Sequence, residues 1–226
     1  SAPEPALAPD RAFTQVKHTK RAKTKPLLVV NVDDPAKAES ALAGGADVIM
    51  FGGENYNHTA ITADDYRQVV ELARHKEKSV ILSTPRIIRE SQTAGLISEL
   101  KLFSQLAPDA VSAGNIGAIQ LLKEFPALNI CGDYHLNIYN SLAIDFFAGL
   151  GLNLLTLSPE LNFAQIEQLN ATKPAELECL VHGYLPLMVS EYCLPGSFLG
   201  NVHAGKCSMP CQKEKYWLND RKNEKF

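Results

Sequence analysis

Seven short apolar runs punctuate this chain, and a helix-length stretch follows almost every one. The runs are LLVVNV at 27–32, DVIMF at 47–51, SVILS at 79–83, DAVSA at 109–113, LNICGD at 128–133, NLLTL at 153–157 and ELECLVHG at 176–183. Between them lie helix signals. Asp34 caps a helix with Pro35 at its first position, which runs out at Gly44 and Gly45. Thr62 with Asp65 forms a capping box ahead of a helix through His75. Further helices are expected over 90–106, 116–124, the stretch SLAIDFFAGL, and after Asn162 with Gln165. Short apolar strands separated by helices pair in parallel with both faces covered. Seven units of about 20 to 30 residues predict an α/β fold, a TIM-like (β/α) barrel holding seven of its eight strands. A doubly wound open sheet is the alternative, but no Gly-rich dinucleotide fingerprint follows the first strand.

At 226 residues and 46% hydrophobic, the chain can bury a sizeable core. It holds no apolar run near the roughly 20 residues that span a bilayer, and no signal peptide opens it. A cytoplasmic location is the default expectation, with no membrane partner. The net charge of −3 is unevenly spread: residues 1–30 and 206–226 carry 12 Lys/Arg against 5 Asp/Glu, leaving 10 and 20 for the middle. Such ends are either solvated tails or surfaces that meet a phosphate backbone. Residues 1–25, opening SAPEPALAPD, read as a linker or basic N-terminal segment, and 26–226 as the barrel domain. YWLNDRKNEKF at 216–226 reads as strand, polar turn, strand, so a longer chain with further domains is expected.

In a barrel the loops after the strands build the active site. Those positions hold Asp33, Glu54, Arg86, Asn115, Asp133, His135, Asn137, Glu160 and His182. Asp33 and Asn115 are the residue types of helix caps. On the seventh run, alternation puts Glu178, Leu180 and His182 on one face, Cys179 and Val181 on the other. If Leu180 faces inward, Glu178 and His182 do too, and a buried carboxylate there must meet a cation, a proton or a metal. A structural Glu–Arg or Glu–His pair is the plainer alternative. Cys179 is expected to face the helices as an inert core thiol.

Three of five cysteines fall within YCLPGSFLGNVHAGKCSMPC at 192–211. Three thiols cannot all pair with one another, and clustered thiols in a reducing compartment bind metal or do chemistry. The spacing Cys193-x13-Cys207-x3-Cys211 follows the seventh strand, at the end where a barrel carries its site. Pro210 disfavours helix at Met209, and Gly196, Gly200 and Gly205 allow sharp turns, so the thiols can converge. Thiolates select zinc or an iron–sulfur cluster. A redox dithiol and incidental thiols remain the alternatives.

The stretch LECLVHGYLPLMVSEYCLPGSFLG followed by GKCSMPCQ resembles the signature of the collagenase-like peptidases of unassigned catalytic type, family thirty-two. Glu178, His182, Gly183, Ser190, Cys193, Gly205, Cys207 and Cys211 stand at matching positions. GDYHLNIYNS and LSPELN resemble two upstream family segments, so the resemblance covers about residues 27–226. It implies a barrel-like catalytic domain and, in some relatives, a 4Fe–4S cluster on four cysteines. It also implies oxygen-independent hydroxylation of a tRNA wobble uridine, a ribosomal RNA cytidine or ubiquinone precursors, with prephenate the oxygen donor in some. Older usage calls the family proteases, with collagen-degrading activity attributed to some members.

The chain departs from the family at Pro186, where many members carry a first cysteine. Cys131, His203 or an exogenous ligand could complete the site. On the first reading the protein is an iron–sulfur hydroxylase acting on RNA or a small carboxylate. Cys193, Cys207 and Cys211 would hold the metal, Glu178, His182, Glu160 and Arg86 would form the catalytic group, and Asp133, His135, Asn137 and Asn115 would bind substrate. The second reading is a peptidase, for which the sequence offers no HExxH or Gly-x-Ser-x-Gly motif, only a Cys193–His203 dyad. The third is a zinc-stabilised binding module without catalysis. DNA is not an expected partner.

Overall fold

The computed structural model describes residues 25–53, 60–170, 174–186, 189, 192–201, 207–217 and 219–225. The chain divides into two compact units, with a boundary between Leu180 and Val181. The expected barrel domain of 26–226 therefore falls across both.

The first unit holds seven strands: β1 (Val29–Val32), β2 (Val48–Gly52), β3 (Ser79–Ser83), β4 (Ala110–Ala113), β5 (Ile130–Gly132), β6 (Leu152–Thr156) and β7 (Glu176–Glu178). All neighbours are parallel, in the order β1-β2-β3-β4-β5-β6-β7. That sequential order is a (β/α) barrel's; a doubly wound sheet would reverse direction at a switch point. The sheet is thus a partial barrel of seven strands. Six helices connect the strands: α1 (Pro35–Ala43), α2 (Ala63–His75), α3 (Thr93–Leu106), α4 (Ile116–Leu122), α5 (Ser141–Gly149) and α6 (Phe163–Asn170).

The caps expected at Asp34, Thr62 and Asn162 form, and the one expected at Asp33 does not. The Asp34 carboxylate accepts from the Ala36 and Lys37 amides, while Asp33 pairs with Lys37 instead of capping. Thr62 and Asp65 bond reciprocally, as do Asn162 and Gln165. The helix expected over 90–106 opens with a 3-10 turn, Glu90–Gln92, before α3 begins.

Alternation sorts the strand residues onto two faces. Ile49, Phe51, Val80, Leu82, Val111 and Leu155 turn to the helices and join Val69, Val70, Leu100, Phe103, Ile119 and Ile144 in the main core. Tyr66 sits edge-on between Phe51 and Phe103, at centroid distances of 5.4 and 4.9 Å. Val48, Met50, Ile81 and Cys131, with Val29, Ala110 and Leu154, form a second apolar cluster on the opposite, inner face.

β7 corrects the sequence reading. The expected run of 176–183 pairs only from Glu176 to Glu178, where Glu178 meets Thr156 and its carbonyl accepts from the Leu157 amide. As the last strand in the sheet's order it is held by β6, and among the described residues from 179 to 186 no ladder holds the chain extended. Strand alternation therefore ends before His182, which is exposed in the second unit. Cys179 is exposed and not a core thiol, for the same reason.

The second unit carries two short helices, α7 (Leu194–Leu199) and α8 (Pro210–Lys213). Met209 caps α8 with a left-handed φ of 51°. Residues 207–209 are loop as expected, but Cys211 lies in α8 rather than in that loop. Near the end, Asn219 bridges Lys225 antiparallel around Asp220, whose carboxylate accepts from the Lys222 and Glu224 amides. The polar turn is thus the one expected; Leu218 and Phe226 lie outside the described residues.

Candidate functional site: the inner end of the strands

Along the inner face the chemistry changes from apolar to polar toward the strands' C-terminal ends. Two residues after Ile81, Ala110, Cys131, Leu154 and Glu176 come Ser83, Ser112, Asp133, Thr156 and Glu178. Alternation gives each pair one face. Ser83 and Ser112 are register partners on neighbouring strands, 5% and 1% exposed. Neither hydroxyl has a hydrogen-bond partner, and neither does Glu178 Oε2 nor either ring nitrogen of His135. Buried polar atoms are almost always bonded. Five such atoms lie at one end of this sheet.

Glu178 is largely buried. Its Oε1 accepts a long 3.4 Å bond from Thr156 Oγ1. Burial pushes its carboxyl above the ordinary value, Thr156 opposes the shift, and the nearby Asp133 charge adds to it. Among the described residues no cation pairs with it, and the shift is toward holding a proton more tightly. Cys131 lies close to the Ser112 hydroxyl, and burial, helped by the Glu178 and Asp133 charges, pushes its thiol up to about 12. It is a protonated thiol and not a nucleophile.

Asp133 and His135 approach to 3.4 Å between Oδ2 and Nδ1, without hydrogen-bond alignment. A 3-10 turn, Tyr134–Leu136, carries His135, and the Tyr134 ring lies tilted against the imidazole at 3.8 Å. Gly114 lies beside this ring: a Cβ there would sit in ordinary contact, 3.5 Å from Nδ1 and 3.7 Å from the Arg86 Cα. Arg86 is half-buried at the end of β3, with Nε and Nη2 inside the protein.

The other expected site residues are placed differently. Asn115 Oδ1 caps α4 through the Ala118 amide, and its Nδ2 donates to the Arg86 carbonyl. It holds the Arg86 loop and has little left for substrate. Asn137 is exposed with φ 53°, closing the 3-10 turn, and Glu160 is exposed in the loop after β6. Glu54, Ser190, His203 and Gly205 lie outside the described residues. Ser83 and Ser112 were missed because serine at a strand end reads as a turn signal. Their shared parity with Ile81 and Ala110 was the available clue.

In the second unit, two of the three expected thiols converge. A Cβ on Gly196 would lie 3.1 Å from Cys193 Sγ and 3.5 Å from Cys207 Sγ, and one on Gly200 would lie 2.7 Å from Cys207 Sγ. Backbone amides donate to both sulfurs: Gly196 N to Cys193 at 3.3 Å and Met209 N to Cys207 at 3.4 Å. Glycine floors and N–H···S bonds suit thiolates that carry a metal or cluster. Cys211 lies on α8, and among the described residues no three donors meet at metal-binding geometry. Cys193 and Cys207 therefore fit part of a thiolate site, and the described residues do not bring Cys211 to them.

The profile of peptidase family U32 matches residues 33–225. The chain belongs to peptidase family U32. Among U32 relatives, an uncharacterized protease of Methanocaldococcus jannaschii is 28% identical over 85% of this chain and 50% of its own length. A tRNA hydroxylation protein of Escherichia coli is 25% identical over 84% of this chain and 44% of its own. A collagenase of Porphyromonas gingivalis is 24% identical over 80% and 48%. The chain thus spans about half the length of the curated relatives it matches. The solved structure of a U32 peptidase superposes with a TM-score of 0.58 at 15% identity, covering 72% of this chain and 71% of that one. That likeness is one of fold. No described helix is long and apolar enough to cross a membrane.

Proposed function

We propose that this U32 chain is the barrel part of an enzyme that hydroxylates a pyrimidine base in RNA, with the inner end of β3–β7 as the base-binding site. The observation that carries the reading is the set of buried, unsatisfied polar atoms on Ser83, Ser112, His135 and Glu178. A pyrimidine edge offers ring N–H, exocyclic oxygen and amino groups in one plane. The two serine hydroxyls and the imidazole can donate to its oxygens, and Glu178 can accept from or donate to it according to its proton. To reach such a site a base must leave its stack, which single-stranded loops allow at least cost.

The relatives support the chemistry: several are named tRNA hydroxylation proteins, and a 23S rRNA 5-hydroxycytidine synthase of Escherichia coli matches over 83% of this chain. An RNA substrate also favours a cytoplasmic location, and a small carboxylate as co-substrate remains part of the proposal. In this proposal Cys193, Cys207 and Cys211 hold an iron–sulfur cluster, or zinc in its place, which when bound supplies electron-transfer or Lewis-acid chemistry. The chain's own residues do the rest. Glu178 keeps a proton near the reacting ring, Asp133 orients His135, and the apolar layer of Met50, Ile81 and Leu154 closes the floor to water. Against the peptidase reading, the buried Cys131 thiol is held protonated, and Ser83 and Ser112 have no base within bonding distance among the described residues.

Mass analysis of nucleosides from total RNA tests the proposal. A strain lacking the gene should lose a hydroxylated pyrimidine that the intact gene restores. Identical nucleoside profiles in the two strains would overturn it.

A further inference from the structure

One buried acid in the first unit takes no part in the site above. Glu99, on α3, is largely buried, and its Oε1 accepts a 2.7 Å hydrogen bond from the Tyr66 hydroxyl. Tyr66 is fixed between Phe51 and Phe103 and cannot follow Glu99 outward. No described cation pairs with Glu99. Burial pushes its carboxyl above the ordinary value, and the Tyr66 bond only partly opposes this. A buried carboxylate with one neutral donor is under-compensated.

Glu99 borders a cleft of about 300 Å³ whose apolar walls are Pro85, Ile87, Ile88 and Leu96. Ile87 is 46% exposed, an uncovered aliphatic surface beside a buried acid. The ligand that satisfies both is small, donates hydrogen bonds, carries positive charge and has an alkyl stem. Anions are excluded by Glu99, and a purely apolar ligand would leave the acid unanswered. We propose that this cleft is a second ligand site, taking a small aliphatic amine whose ammonium meets Glu99 and whose stem lies on Ile87, Ile88 and Leu96. The site is independent of the hydroxylase reading. Pro85 and Ile87 flank Arg86 in sequence, so an occupant braces the loop that carries that residue.

The test is a titration of the natural protein with n-butylammonium chloride, followed by the amide signals of Gly95 and Leu96, with n-butanol as the neutral isostere. Saturable shifts are expected with the amine. Glu99→Gln keeps an acceptor for Tyr66 and removes the charge, so amine binding should weaken by about tenfold while n-butanol is unaffected. Gly95→Leu supplies a second arm: Gly95 lines the cleft and a Cβ there meets nothing within 4 Å, so the fold should tolerate the larger side chain at the cleft wall and amine binding should weaken. No saturable shift in the wild type, or equal amine affinity in wild type and either variant, would overturn the proposal and leave Glu99 as an anchor for Tyr66.

Discussion

Glu178 answers two demands at once, being held in the sheet by β6 and lying largely buried beside Thr156 and Asp133. Its carboxyl is raised above the ordinary 4.5, so the folded chain holds this proton more tightly than the unfolded chain does. The stability from that proton is complete below about 4.5 and is lost as pH rises through the folded value. Glu178→Gln should therefore flatten the fall in melting temperature as pH rises above the ordinary carboxyl value, read by calorimetry; a slope unchanged from wild type would remove the buried proton from the account. At Gly200 the demand is steric. A Cβ would sit 2.7 Å from Cys207 Sγ and 2.5 Å from the Gly196 carbonyl, so Gly200→Ala should cost bound metal while the helical signal of the barrel persists. Cys207→Ser should do the same, and full iron retention in Cys207→Ser would exclude it as a ligand. Glu178 was legible from alternation because β6 does hold it extended. His182 was misplaced by the same rule, which has no force where the ladder ends.

At the level of elements, local hydrogen bonding made the helix starts readable. Asp34, Thr62 with Asp65, and Asn162 with Gln165 act where their side chains satisfy amides that a helix leaves open. Asn115 shows what that reading leaves out, since a cap can also hold a neighbouring loop. Asn115→Ala should lower stability by about 1 kcal/mol, the usual cost of an N-cap. Asn115→Asp keeps an oxygen for the Ala118 amide but loses the donor to the Arg86 carbonyl. It should melt near the wild type and still lose activity, as denaturant unfolding beside RNA modification would reveal. Equal losses in both variants would reduce Asn115 to a cap alone. The convergence of Cys193 and Cys207 on Gly196 was readable only as a spacing, because contacts between distant thiols depend on turns that no local pattern encodes.

For the whole molecule, sequential parallel strands and an inward polar layer make one case. The apolar cluster of Val48, Met50, Ile81 and Leu154 lies on the inner face, and the polar layer beyond it from Ser83 to Glu178 has atoms without a hydrogen-bond partner, which the proposal assigns to a ligand. The barrel order was legible because strands and helices alternate throughout; the ligand was not, because unsatisfied atoms appear only once the strands are in register. The most direct measurement is the level of hydroxylated pyrimidine nucleoside in RNA from a strain lacking the gene, complemented in turn with the wild type and Glu178→Gln, each checked for expression and folding. The wild type should restore the nucleoside, and Glu178→Gln should restore less than about a tenth of it, the loss typical of a proton-transfer residue. Full restoration by Glu178→Gln would contradict the site, and a nucleoside indifferent to the gene would contradict the function.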